Sequence, residues 1–213
     1  MRILITGFDP FGGERVNPAL EAVKLLPDEI GAHKIDKLEI PTVFHKSKDV
    51  ILSQMKRYEH LSVVAIGQAG GRYVLTPERV GINVDDARIA DNEGNQPIDE
   101  VIQVDGNAAY FSNLPVKRIT EAIKAQGIPS RLSNTAGTFV CNHILYQLGY
   151  LQATAFPKIK FGFIHVPFVP EQVTDKPEKP SMSLETIRIG LYAALEAIVE
   201  SGVDIKVALG ETH

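Results

Sequence analysis

A chain of 213 residues in which 22 Lys and Arg face 26 Asp and Glu carries a formal charge of −4 and an isoelectric point near 5.9. No short stretch concentrates Lys and Arg, so nothing is suited to neutralise phosphates or to dock on an anionic membrane, and neither nucleic acid nor membrane is an expected partner. The length suffices to bury roughly 70% of the unfolded surface in one core, and no apolar run approaches a membrane span.

One domain over 1–213 is expected, with a loose tail over 203–213. The early apolar run Ile3, Leu4, Ile5 is too short for a signal segment. The single cysteine excludes an internal disulfide and suits a reducing, cytoplasmic setting.

Residues 2–7, RILITG, predict a central strand, and the FDPFGG that follows, with Pro10, Gly12 and Gly13, predicts an irregular loop at its carboxyl end. Ligands bind at that edge in open α/β sheets. Phe8 and Phe11 flank the loop, where they either line an apolar pocket or plug the core beneath it. The glycine spacing fits neither the dinucleotide fingerprint nor the P-loop. Asn17 and Pro18 then read as N-cap and first residue of a helix that Pro27 ends.

A strand over 37–40 stops at Pro41, residues 44–58 have the spacing of a surface helix, and LSVVAIG over 61–67 is a continuous apolar run typical of a buried parallel strand. The small residues after Gly67 predict a second loop where backbone approaches a ligand closely. Residues 72–113 are long, polar and rich in turn formers, with a strand near 79–84, a possible hairpin and the character of a lid. Residues 115–126 predict an amphipathic helix with Gly127 beyond its end, and SRLSN over 130–134 a strand. A strand over 158–166 closes at Pro167; prolines and charges over 170–183 predict a loop that is a candidate subunit contact, and a long helix over 183–200 finishes the fold. Strand and helix alternate, which is the pattern of an α/β protein.

Residues 133–148, SNTAGTFVCNHILYQL, run from a polar turn into a helix, with the only cysteine, Cys141, just inside its start. Free N–H groups and the helix dipole stabilise a thiolate there, so ionisation below the ordinary value of roughly 8.5 is one expectation. A buried, inert thiol on the face of Ile144 and Leu145 is the other. A nucleophilic thiol needs a base. His143 is excluded, because two residues along a helix turn the side chain by about 200°. His165 stands at the carboxyl end of the strand that follows the Cys141 helix. For an acid behind the imidazole, Asp9, Glu78, Asp85, Asp86 and Asp91 all lie in loops on that edge, and position does not choose among them.

The runs TGFDPFGG, GQAGGR with PERV and INVDDARIADNEG, SNTAGTFVCNH and GFIHVPFVPEQ occur in the order and spacing of one family. The chain resembles the type I pyroglutamyl peptidases, cysteine peptidases also called pyrrolidone carboxyl peptidases, over nearly its whole length. The resemblance implies Cys141 as nucleophile, His165 as base, Glu78 as the acid orienting the imidazole, and Arg88 near the oxyanion. It implies a pocket for the pyroglutamyl ring formed by Phe8, Phe11, Thr42, Gln68, Ile89, Phe139 and Val140, with Asn17 steadying Gln68. Ala90 departs from the proline common in DARIPDN, which loosens the backbone beside Arg88 but removes no reactive group.

The implied fold is a three-layer sandwich, a twisted, mostly parallel mixed sheet with helices on both faces in the manner of phosphorylase/hydrolase-like domains, commonly assembled as a homotetramer. The implied substrates are N-terminally pyroglutamylated peptides. A neutral lactam calls for an apolar slot with a few amide partners and for no metal or cofactor. Two other classes compete on the fold alone: a nucleoside phosphorylase or hydrolase, which needs a phosphate or ribose site that no basic glycine loop supplies, and a non-catalytic binding module.

Overall fold

Three continuous apolar runs become the centre of the sheet. These are β1 (Arg2–Phe8), β4 (Ser62–Gln68) and β8 (Lys160–Val166), buried almost throughout. Between β1 and β4 lie α1 (Pro18–Lys24), β2 (Glu29–Ile30), β3 (His33–Ile40) and α2 (Lys46–Arg57). Between β4 and β8 lie β5 (Thr76–Glu78), β6 (Val80–Ile82), β7 (Ala109–Phe111), α3 (Val116–Ala125) and α4 (Val140–Thr154), and α5 (Leu184–Glu200) follows β8. The computed structural model describes residues 1–200 and 203–210.

The six-stranded sheet has the order β2-β3-β1-β4-β8-β5, with β3, β1, β4 and β8 parallel and the two edge strands antiparallel to their neighbours. Side chains alternate between its faces. Ile3, Ile5, Val64, Ile66, Ile164 and Val166 pack with α1, α3 and α5 through Ala19, Ile119 and Leu191. Leu4, Phe8, Val63, Ala65, Phe161 and Phe163 pack with Ile51 of α2 and Ile144, Leu145 and Leu148 of α4. The same alternation puts Gly67, two on from Ala65, and His165, two on from Phe163, on the α4 face at the carboxyl edge.

Asn17 caps α1 as expected, accepting the Ala19 N–H through Oδ1 at 3.1 Å. The strand expected over 130–134 is reduced to two isolated bridges, Leu75 with Ser130 and Glu78 with Ser133. The partner of that segment is β5, whose central Pro77 has no N–H for a ladder, and such a strand is tolerated only at a sheet edge. β6 and β7 form a separate antiparallel pair within 72–113, but residues 83–108 lie between the two strands, so the hairpin expected there is not formed by a tight turn. Residues 170–183 include one short 3-10 turn, Pro170–Gln172. Within the expected loose tail, the Asp204 carboxylate accepts the N–H groups of Lys117 and Arg118 at the start of α3, at 3.1 and 2.9 Å, and 211–213 lie outside the described residues. No described helix is long and apolar enough to cross a membrane.

Gly7 sets the distance between β1 and α1. A Cβ there would stand 2.5 Å from the Leu20 Cα and 2.9 Å from its N, backbone atoms that cannot rotate away. Gly7→Ala is therefore expected to lower the free energy of unfolding by roughly 1–3 kcal/mol. Urea denaturation measures this, and unchanged stability would show that α1 can move off the sheet at no cost.

Candidate active site

Cys141 is the second residue of α4, whose N-cap, Phe139, is extended and provides no side-chain hydrogen bond. The first-turn N–H groups are thus left to whatever lies before the helix. The thiol lies over Gly67: a Cβ at that position would be 2.9 Å from Sγ and 2.6 Å from Cζ of Phe163. Gly67 is in turn the register partner of His165 across β4 and β8. A strand glycine thus makes room for the sulfur beside the imidazole.

Behind the ring, His165 Nδ1 meets Glu78 Oε1 at 2.7 Å, and Glu78 is fully buried. Arg72 donates to the same oxygen at 2.5 Å, to the Thr76 hydroxyl, and to the Thr135 carbonyl at 2.9 Å. Burial opposes the charge on Glu78, but the His165 hydrogen bond and the charges facing it win, and its pKa sits below the usual carboxylate value. Burial pushes the His165 pKa below its ordinary value, against the contrary pull of Glu78 and with help from Arg72. An ionised carboxylate therefore faces a neutral ring. With Glu78 as acceptor, Nδ1 carries the proton and Nε2 is free to accept one.

The half-buried Cys141 thiol is pushed up to about 12, first by burial and then by the Glu78 charge, with Arg72 opposing. This differs from the thiolate expected at a helix start: burial and the Glu78 charge favour the neutral thiol. The ligand-free pair is a neutral thiol beside a neutral imidazole.

Cys141 and His165 line a cavity of about 500 Å³ together with Phe11, Gln68, Ala69, Arg72, Asp86, Arg88, Ile89, Ala136, Gly137, Thr138 and Phe139. Of the expected pocket, Phe11, Gln68, Ile89 and Phe139 reach it, and so does Arg88, which is exposed and makes no ion pair among the described residues. Phe8 instead plugs the core, its ring 6.2 Å from that of Phe163. Val140, the first residue of α4, is buried in the core, and Thr42 is tied to Asp9 through its N–H and hydroxyl. Asn17 donates to the Asp9 carbonyl at 3.0 Å, whereas the side chain bonded to Gln68 is Gln172. His143 points away, as its helical position requires: Nδ1 lies 2.7 Å from Asp85 Oδ2, and its ring packs edge-on against Phe44.

Arg72 and Gln172 are the contributors that residue patterns do not expose. Arg72 sits within GQAGGR without any spacing that ties it to Glu78, and Gln172 follows the strand of His165 by a turn. A second cavity, of about 440 Å³ and lined by Met55, Tyr58, His60 and Phe156, opens at the opposite, amino ends of β4 and β8, and no Cys, Ser or Thr lines it.

Residues 1–201 match the family model described as pyroglutamyl peptidase. A pyrrolidone-carboxylate peptidase of Staphylococcus saprophyticus is 97% identical over 213 residues, 100% of either chain. Pyrrolidone-carboxylate peptidase 1 of Streptococcus pneumoniae serotype 4 is 56% identical over 214 residues, again with 100% of each covered. Among solved structures, the pyroglutamyl peptidase I of Bacillus amyloliquefaciens superposes with a TM-score of 0.94 at 48% identity, covering 97% of this chain and 99% of that one. A mutant pyrrolidone carboxyl peptidase from the hyperthermophile Pyrococcus furiosus gives a TM-score of 0.90 at 39% identity, covering 94% and 99%.

Because a Cβ at position 67 would meet Cys141 Sγ at 2.9 Å and Phe163 at 2.6 Å, Gly67→Ala is expected to shift the sulfur off its seat. Alkylation of Cys141 by iodoacetamide should slow, with a loss of roughly 1–3 kcal/mol in stability. An alkylation rate equal to wild type would mean that the glycine does not set the position of the thiol.

Proposed function

Because the chain belongs to the pyroglutamyl peptidase family, we propose that it removes N-terminal pyroglutamyl residues from peptides with Cys141 as nucleophile, His165 as base and Glu78 orienting the imidazole. The observation that carries this reading is a single thiol at the uncapped start of α4, in one cavity with an imidazole whose far nitrogen is fixed by a buried, ionised carboxylate. The Phe11 and Phe139 rings, 6.1 Å apart, supply apolar wall, and Gln68 supplies an amide. That combination suits a neutral lactam. An uncyclised N-terminal glutamine would press an ammonium against those apolar walls, at a cost of several kcal/mol.

In the reaction, Nε2 of His165 takes the thiol proton as Sγ attacks the pyroglutamyl carbonyl carbon, and the carbonyl electron pair moves to oxygen. First-turn N–H groups of α4 meet the oxyanion, with Arg88 adding its charge; losing one such donor typically costs about 3 kcal/mol. The imidazolium then gives its proton to the leaving amine as the C–N bond breaks, which leaves a thioester. Water, deprotonated by the same imidazole, hydrolyses it and restores the thiol. Glu78 acts by stabilising the imidazolium that exists only in between.

Release of a fluorescent amine from its pyroglutamyl amide tests the reading. Wild type should turn over, and Cys141→Ser and His165→Ala should lose roughly a thousandfold or more while remaining folded; an active His165→Ala would sink the assignment. The base works only when neutral, and burial depresses its pKa, so the acid limb of kcat/KM should fall below about pH 6.5. The Glu78 charge raises that pKa and the Arg72 charge lowers it. Glu78→Gln should therefore move the limb further toward acid and reduce kcat by roughly 10²–10⁴-fold, whereas Arg72→Met should move it toward neutrality. Shifts of the opposite sign would contradict the proposed roles.

The same reading extends to assembly. Ile98, Val101, Val104 and Phe111, 60–96% exposed, are apolar surface that association would remove from water. A homotetramer is expected, and sedimentation equilibrium should return four chain masses. A monomeric mass at micromolar concentration would reject it.

A further inference from the structure

Gln68 is the one carboxamide side chain lining the cavity among the described residues. An amide reads a ring lactam through whichever end it presents: Nε2 donates to the carbonyl oxygen, and Oε1 accepts from the ring N–H. The network behind Gln68 decides which end that is.

Gln172 closes the short turn after β8 and is 5% exposed. Its Oε1 accepts the Val169 N–H at 3.2 Å, so its other end is the donor. That Nε2 faces Gln68 Oε1 at 2.9 Å, the Val16 carbonyl at 3.3 Å and Glu14 Oε2 at 3.3 Å. The Val16 carbonyl and the Glu14 carboxylate are acceptors whichever way Gln68 is turned, so the reversed orientation would set the Gln172 oxygen against two acceptors and leave the Val169 N–H facing an amide NH2. Glu14 is itself held by Lys176 at 2.5 Å, and its N–H donates to the carbonyl of Phe11 at 3.2 Å. The orientation of Gln172 is thus locked from two loops, one of which carries a wall of the cavity. With its Oε1 engaged, Gln68 keeps Nε2 for a ligand, and no other side chain bonds it among the described residues.

We infer that Gln172 is a positioning residue that fixes the Gln68 amide so that the cavity presents an N–H donor to the ring carbonyl oxygen of the substrate. The inference rests on the pyroglutamyl reading and narrows it. Selectivity for a lactam over a saturated ring is then set by a residue that touches no substrate.

Two variants test this. Gln172→Met fills the space without an N–H, and Gln172→Glu keeps the acceptor for Val169 N–H but turns an oxygen toward Gln68. In both, KM for a pyroglutamyl amide and the inhibition constant of 2-pyrrolidinone, the bare lactam ring, should rise together by roughly ten- to a hundredfold. The kcat should stay within about threefold, and alkylation of Cys141 by iodoacetamide should keep its wild-type rate. In a Gln68→Met background, Gln172→Met should add no further loss. Unchanged KM, a parallel loss of kcat and alkylation rate, or an undiminished effect in the Gln68→Met background would each overturn the inference. A wild type that cleaves no pyroglutamyl amide would defeat the functional reading instead. Calorimetric affinities of wild type and both variants for 2-pyrrolidinone would still decide the inference in that case.

Discussion

The hydrogen bond between Glu78 and His165 is the constraint on which the site depends. A fully buried carboxylate is stable as an anion only if partners replace the water it has lost, otherwise it takes up a proton and can no longer hold the imidazole tautomer. Two donors converge on Glu78 Oε1, the His165 ring at 2.7 Å and Arg72 at 2.5 Å. The backbone serves the same end. β5 is a three-residue edge strand whose register puts Thr76 opposite His165 and Glu78 opposite Phe163, so the carboxylate approaches the ring from the adjoining strand. Removing either partner leaves a buried charge or a misdirected ring.

Burial favours the neutral form of both reacting groups, while the partners of Glu78 keep the acid charged. Glu78 is held ionised, while burial keeps His165 neutral and pushes the Cys141 thiol up to about 12. In the proposed reaction the thiol and the imidazole store no ion pair between them at rest. Charge appears when a substrate carbonyl brings the oxyanion donors into use, and it then forms with Glu78 already placed to balance the imidazolium. Preorganisation of this kind favours the transition state over the ground state, which is what lowers a barrier.

Much of this was legible in the chain. Continuous apolar runs mark the buried strands, and the turn into a helix locates Cys141. The rotation of about 200° between Cys141 and His143 excludes the nearer imidazole, and the structure duly gives His143 to Asp85. Choosing the acid was harder because five carboxylates share one edge. Four are told apart by their partners, with Asp85 going to His143, Asp91 to the N–H groups of Phe44, Glu93 and Asn95, Asp9 to the Thr42 N–H, and Glu78 to His165, while Asp86 lines the cavity. Those contacts span up to 87 positions and leave no local trace. β5 escaped notice because Pro77 is a poor strand former anywhere but an edge. Gln172 escaped because its role depends on which end of an amide faces which neighbour, information that exists only once two loops have met.

The most direct test of the central claim is the protonation state of the His165 ring, read by 15N NMR of the imidazole in the ligand-free protein at neutral pH. The account predicts a neutral ring with the proton on Nδ1, a bare Nε2, and titration below about pH 6.5. A doubly protonated ring persisting through neutral pH would mean a resting thiolate–imidazolium pair, and a proton on Nε2 would mean that Glu78 does not set the tautomer. Either result would contradict the account.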